Sequence, residues 1–328
     1  MLYYPVLTIG SLELPSPYVL SPMAGVSDLS FRMVCREFGS FLAFTEMVSA
    51  RALLFGNRKT FKLLTTEAAD APLGIQFLAG DEEVLRSAVK ALTGARFDIL
   101  ELNAACPVTK VVKRGEGAGL LKEPPRLYRL LKTLVDVSPV PVTVKIRTGW
   151  DDKSINAVEV ARLAEDAGIK AIFIHGRTRQ QGYGGSISYG TIRDVKQAVT
   201  IPIIASGNIF STRLASHMFL ETGCDGVAVA RGAFGNPWIF RDLLRSEKGL
   251  HDEQKPEMDE VARVMRKHLD SSIEEHGERI GVINFRKFFI WYSRGFSNVA
   301  PLRRGALSAK TPQEMHLMID RLMGKGRS

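Results

Sequence analysis

Eight short runs of apolar and β-branched residues recur along the first three quarters of the chain, each followed by a stretch of helical period. They are YVLSPMA (18–24), FLAFTEM (41–47), LGIQFLA (73–79), DILELNA (98–104), VTVKIRT (142–148), AIFIHGR (171–177), IPIIASGN (201–208) and GVAVARG (226–232). Several are continuously apolar rather than alternating, so both faces of such a strand expect burial. That is the signature of a parallel sheet covered by helices. The stretches DEEVLRSAVKALTG, PPRLYRLLKTLVDV and INAVEVARLAEDAG read as the covering helices; in the last, Ala157, Val160, Ala161 and Ala164 fall on one face. Gly94 and Gly168 stand where C-terminal helix caps are expected. A count of eight predicts an α/β fold of the (β/α)8 TIM-barrel type, whose usual span is about 250 residues. A doubly wound open sheet is the competing architecture, but no GxGxxG follows the first strand.

Beyond about residue 245 the pattern changes. The acid-rich SEKGLHDEQKPEMDE reads as a linker and helix start, and VARVMRKHLDSSIEEHG and IGVINFRKFFIWYSRGF read as helices. The predicted organisation is therefore a barrel over residues 1–245 and a small all-helical domain over 246–328. The formal net charge of +9 is concentrated at the end: from residue 281 onward nine Lys and Arg stand against two acids. Such a stretch is either a solvated helix face or a polyanion-binding surface. No apolar run has the length of a membrane span, and the opening MLYYPVLTIGSLELPSP has neither a basic n-region nor a long apolar core. Cys35, Cys106 and Cys224 lie far apart with no CxxC pair, so the expectation is a reduced, cytoplasmic protein with no membrane and no metal.

A barrel gathers its reactive groups at the C-terminal ends of its strands. Those positions carry Met23 and Ser27, Glu46, Gln76, Asn103 with Cys106, Lys145 with Arg147, His175 with Arg177, Asn208, and Arg231. Glu46 has no assignment beyond a helix cap or an ion pair. ASGNIFS (205–211) and ARGAFGNP (230–237) follow the last two strands, where such loops commonly hold phosphate; Gly207 and Gly232 would let backbone N–H groups approach it, and Arg231 adds charge. Lys145 interrupts an apolar strand and calls for an anion, or else a structural ion pair; a flavin that becomes anionic on reduction suits it. Gln76 offers an amide to a planar heterocycle. His175 is either a site residue or a satisfied core histidine. Cys35 and Cys224 read as small buried side chains. Cys106, at the exit of its strand and followed by Lys110, Lys113 and Arg114, reads as a chemical thiol, with packing as the alternative; these cations either lower its pKa or bind phosphate, and a thiol near a ring carbon can act as a general acid.

SPMAGVSDLSFR, GIQFLAG, ELNAACPVTKVVKRGEGAGLL, VTVKIRTGW, FIHGRTRQQGYGG, IIASGNI and VARGAFGNPWIF together resemble, in order, the motifs of tRNA-dihydrouridine synthases, above all the bacterial B branch. FRKFFIWYSRG is similar to that family's helical domain. The resemblance implies an FMN-dependent enzyme that reduces the C5–C6 bond of a tRNA uridine with NADPH, hydride passing from flavin N5 to C6 and a proton from Cys106 to C5. It implies that Pro22, Met23, Ala24, Gln76 and Lys145 line the flavin ring, and that His175, Gly207, Asn208, Arg231 and Gly232 hold its phosphate end. Asn103, Arg177 and Tyr183 would face the substrate, and Arg286, Lys287, Arg294, Arg303 and Arg304 would cradle tRNA. Trp291, Tyr292 and Phe296 would serve the helical core rather than stack on bases. A monomer is expected. The family's pair before the cysteine is usually an aliphatic residue and a glycine; here it is Ala104–Ala105. Two other readings stand beside this one: a small-molecule FMN oxidoreductase of the dihydroorotate or dihydropyrimidine type, and a non-catalytic RNA-binding protein.

Overall fold

The computed structural model describes residues 6–250 and 255–324. Residues 1–5, part of the linker (251–254), and Lys325 and Arg327 of the basic tail lie outside the described residues. Eight parallel strands close on themselves: β1 (Tyr18–Leu20), β2 (Leu42–Phe44), β3 (Leu73–Leu78), β4 (Ile99–Asn103), β5 (Val142–Arg147), β6 (Ala171–His175), β7 (Ile203–Ser206) and β8 (Gly226–Val229). Each pairs with its successor, and β8 pairs back to β1. This is the TIM barrel that the eightfold repeat predicts. The strands stop short of the apolar runs for a local reason: Pro22 and Pro202 bring no N–H to a ladder, so β1 ends before the first and β7 begins after the second.

Helical chain follows every strand: α1 (Leu29–Glu37) after β1, α2 (Ala50–Leu54) and α3 (Arg58–Lys62) after β2, α4 (Glu82–Ala91) after β3, and α5 (Thr109–Val112) and α6 (Pro124–Val137) after β4. Then come α7 (Ala157–Asp166), α8 (Tyr189–Ala198), α9 (Thr212–Thr222) and α10 (Ile239–Glu247). The face of α7 that the spacing marks as apolar is the buried one. Asp81 caps α4 by accepting from the Val84 N–H, and Pro124 starts α6 where its missing N–H costs nothing.

An element that the strand count passes over closes the N-terminal end of the barrel. Leu7–Ile9 and Leu12–Leu14 form an antiparallel hairpin, with Gly10 at φ +61° in its two-residue turn. Leu7, Ile9 and Leu14 join Val19, Leu42, Phe44, Ile99, Phe173 and Ile204 in one buried cluster. Phe44 meets Phe173 edge to face at 5.3 Å, and Gly74 leaves the space the Phe44 ring fills.

The last four helices are α11 (Met258–His276), α12 (Glu278–Tyr292), α13 (Ala300–Ser308) and α14 (Pro312–Met323); no strand occurs among the described residues of this region. They dock on α1 with a core continuous with that of the barrel. Phe31 stacks on Phe288 at 5.3 Å, and Trp238 lies against Phe38 and Tyr292. A polar seam lies beside these rings. Glu275 accepts from the N–H groups of Leu29 and Ser30, Asp28 caps α1 through the Phe31 N–H, and His276 stands 3.5 Å from Asp28. Glu37 pairs with Arg263 and Lys267.

Candidate active site at the barrel mouth

A cavity of about 390 Å³ opens at the C-terminal ends of the strands. Pro22, Met23, Ala24, Gln76, Asn103, Cys106, Lys145, His175, Tyr183, Gly207, Asn208, Arg231 and Gly232 all line it. Arg147, Met47, Phe210 and Phe234 complete much of the wall.

The cavity is built around positive charge. The Lys145 Nζ is buried without a hydrogen-bond partner, and burial lowers its pKa. His175 is held neutral: burial first, then Arg147, Lys145, Arg177 and Arg231, push its pKa down to about 2. Burial also lowers Arg147 to about 10; its guanidinium donates to the carbonyls of Ala105 (2.7 Å), Thr178 (3.0 Å) and Gly182 (2.8 Å). It thereby ties the Cys106 loop to the loop after β6. Tyr183 lies over both Arg147 and Arg231. A buried ammonium with no acceptor, next to a wall of cations and an apolar ceiling, is a site made for an anionic or strongly polarisable planar group.

Cys106 is half-buried, and burial raises its thiol pKa above the ordinary value against the lowering pull of the Val108 N–H, Arg147 and Arg114. The cations after the cysteine therefore do not make it a thiolate; it is a proton-bearing thiol at the cavity wall. The two glycine loops also have a definite packing role. A side chain at Gly232 would strike the Ile209 carbonyl, and one at Gly207, whose φ is +127°, would strike Ile187 and crowd the His175 ring. Each glycine lets the loops after β7 and β8 close on the cavity.

The dihydrouridine synthase family model, described as "Dihydrouridine synthase (Dus)", matches residues 19–323. The chain belongs to that family. It is 38% identical over 284 residues to the tRNA-dihydrouridine synthase B of Pseudomonas putida, covering 87% of this chain and 84% of the relative. It is 37% identical over 299 residues to a probable tRNA-dihydrouridine synthase of Rickettsia conorii, covering 91% and 90%. Among solved structures, histamine dehydrogenase from Rhizobium sp. 4-9 shares the fold at a TM-score of 0.57 and 12% identity, covering 81% of this chain and 50% of that one.

In this dihydrouridine synthase several of the residues singled out in the sequence also have partners within the protein. Asn103 lines the cavity, but its amide faces inward: Nδ2 donates to Gln76 Oε1 (2.8 Å), and Oδ1 accepts from the N–H groups of Ala105 (3.0 Å) and Cys106 (2.8 Å). These bonds shape the cysteine loop. Arg177 is buried and donates to the Gly185 carbonyl and Asn208 Oδ1, so it staples the loop after β6. Arg286 donates to the Ala309 carbonyl and Arg303 to Ser293, holding helices together, while Arg294 and Arg304 are exposed. Lys287 is half-buried over the Phe288 ring. Tyr292 and Phe296 are core residues, and Trp291 stacks on Phe234 of the cavity wall at 4.0 Å.

Two site residues escaped the sequence reading. Glu46, left unassigned there, accepts from the Gly25 N–H and so anchors the Pro22–Ala24 loop. Glu101 is wholly buried beside Gln76 and Thr143, and burial raises its pKa to about 7. The argument that marks Lys145, a charge inside an apolar strand, marks Glu101 in ILELN equally well.

Proposed function

We propose that this protein reduces the C5–C6 double bond of uridine in tRNA to 5,6-dihydrouridine, with FMN bound in the barrel mouth, NADPH as the reductant and Cys106 as the proton donor. The observation that carries the reading is the sharing of one cavity by a protonated thiol, Cys106, and an unpartnered buried ammonium, Lys145. When bound, FMN would supply hydride chemistry at C6 of the uracil. Gln76 and Lys145 would hold the polar edge of its ring, where the ammonium stabilises negative charge, and Pro22, Met23 and Ala24 would cover its face. His175, neutral, would hydrogen-bond at the phosphate end with Asn208, Arg231 and the N–H groups of Gly207 and Gly232.

Cys106 delivers a proton to C5 as charge develops there, completing the saturated bond, and its thiolate is reprotonated from solvent. A thiol suits this step because its pKa lies far closer to working pH than that of a hydroxyl. Arg147 fixes the thiol's loop through the Ala105 carbonyl. Residues 246–328 act as a tRNA-binding domain on a barrel of residues 1–245, with exposed Arg294 and Arg304 contacting phosphates, and the enzyme works as a cytoplasmic monomer.

Dihydrouridine mapped by mass spectrometry in tRNA from a deletion strain, with and without the Cys106→Ala gene restored, tests the reading. The deletion should lose dihydrouridine at defined positions, and Cys106→Ala should bind FMN yet fail to restore it. Full restoration by Cys106→Ala would remove the thiol from the mechanism.

A further inference from the structure

We propose that Glu101 is a positioning residue that fixes the Cys106 loop through a one-way chain of hydrogen bonds crossing the floor of the cavity. The proposal deepens the role given above to Gln76 and Cys106 and rests on it. The polarity of the chain follows from its far end. The N–H groups of Ala105 and Cys106 are backbone donors and cannot reverse, so the Asn103 atom facing them must be Oδ1. Asn103 Nδ2 then points the other way and donates to Gln76, whose facing atom must be Oε1. The Gln76 Nε2 in turn donates to Glu101 Oε2. Glu101 is thus required to accept at this oxygen.

The requirement falls on one oxygen only. Glu101 Oε1 faces Thr143 Oγ1 at 3.4 Å, so a proton carried there leaves the chain intact. Strand register makes the arrangement rigid, because Gln76 lies opposite Glu101 in β3 and β4, and Glu101 lies opposite Thr143 in β5. Without an acceptor at position 101, the Gln76 amide is free to reverse. A reversed Gln76 presents N–H to Asn103 Nδ2, and two donors then face each other beside the cysteine loop.

The test is the alkylation rate of Cys106 by iodoacetamide in the purified full-length protein, with flavin affinity measured in parallel; Cys35 and Cys224 are buried and do not compete. Glu101→Gln keeps an acceptor facing Gln76, and its alkylation rate should stay within about twofold of the parent. Glu101→Met removes the acceptor at similar size; alkylation should change by about fivefold or more and FMN should bind about tenfold more weakly, as loss of one buried hydrogen bond implies. Gln76→Met, which breaks the chain one link later while keeping the Glu101 side chain, should change alkylation similarly and guards against misfolding of the first variant. Unchanged alkylation in both methionine variants would overturn the proposal, as would a Glu101→Gln variant as perturbed as Glu101→Met. Alkylation needs no tRNA turnover, so a failure of the proposed reaction leaves this test readable.

Discussion

The two ends of the barrel are made from the same eight strands and are opposites in chemistry. The N-terminal end is closed by a hairpin whose Leu7, Ile9 and Leu14 seal against Phe44 and Phe173, leaving apolar contact throughout. The C-terminal end is open, ringed by Lys145, Arg147, Arg177 and Arg231, and holds a buried ammonium with no hydrogen-bond partner. One end is satisfied; the other is built to be completed by something else. A side chain's position along its strand therefore predicts whether its removal costs stability or activity.

The largest expected effect lies at the mouth. Cys106→Ala should lower the single-turnover rate of uridine reduction by about 10²–10⁴-fold, the usual worth of a positioned general acid, with the urea midpoint unmoved. At the opposite end Ile9→Ala should remove about 2–5 kcal/mol of unfolding free energy, as aliphatic truncation in a packed core does, while turnover per folded molecule persists. An Ile9→Ala protein that is stable but inactive would break the comparison. Lys145→Met sharpens it from the other side. The urea midpoint of the apoprotein should move little, because the desolvation of a buried ammonium is relieved while its attraction to the buried Glu101 carboxylate is lost. Its FMN dissociation constant, read by flavin fluorescence, should rise about 10–100-fold, as loss of a charge-assisted hydrogen bond implies.

At neutral pH the smallest effect concerns the seam between the barrel and the final helices, where it grows only as acid is added. His268 is fully buried against Phe31, Phe285 and Phe288, and burial lowers its pKa to about 4. In the unfolded chain it takes up a proton below its ordinary value of 6.5, whereas the folded form does not. Stability is therefore lost as pH falls from 6.5 towards 4, by up to about 1.4 kcal/mol per unit for this one group. Urea titrations at several pH values should show a shallower slope for His268→Phe; an unchanged slope would mean that this imidazole does not set it.

Much of the mouth was legible because a polar side chain inside an apolar run has few other uses. Gln76, Lys145 and His175 stand out in GIQFLAG, VTVKIRT and AIFIHGR, and all three reach the cavity. Glu101 carries the same signal but lies two residues before Asn103 in its strand, below the rim, so a search of strand exits alone does not reach it. The hairpin was legible too, in the apolar alternation of LTIGSLEL about a Gly-Ser turn, but strands counted by repeat hide one that does not repeat. The helical arginines could not be separated in advance. Charge is visible in a sequence; the carbonyl that engages Arg286 but not Arg294 is supplied by tertiary packing.

Glu275, at the end of a helix some 245 residues along the chain from α1, satisfies the first N–H groups of that barrel helix. The C-terminal portion is consequently no detachable accessory. Cutting it away would strip α1 of an acceptor and bare the Phe31 ring to water, so a shortened protein that fails to capture tRNA would report injury to the catalytic body as much as loss of a grip. Charge reversal at exposed Arg294 and Arg304, the proposed phosphate contacts, is the cleaner test of whether these helices hold nucleic acid.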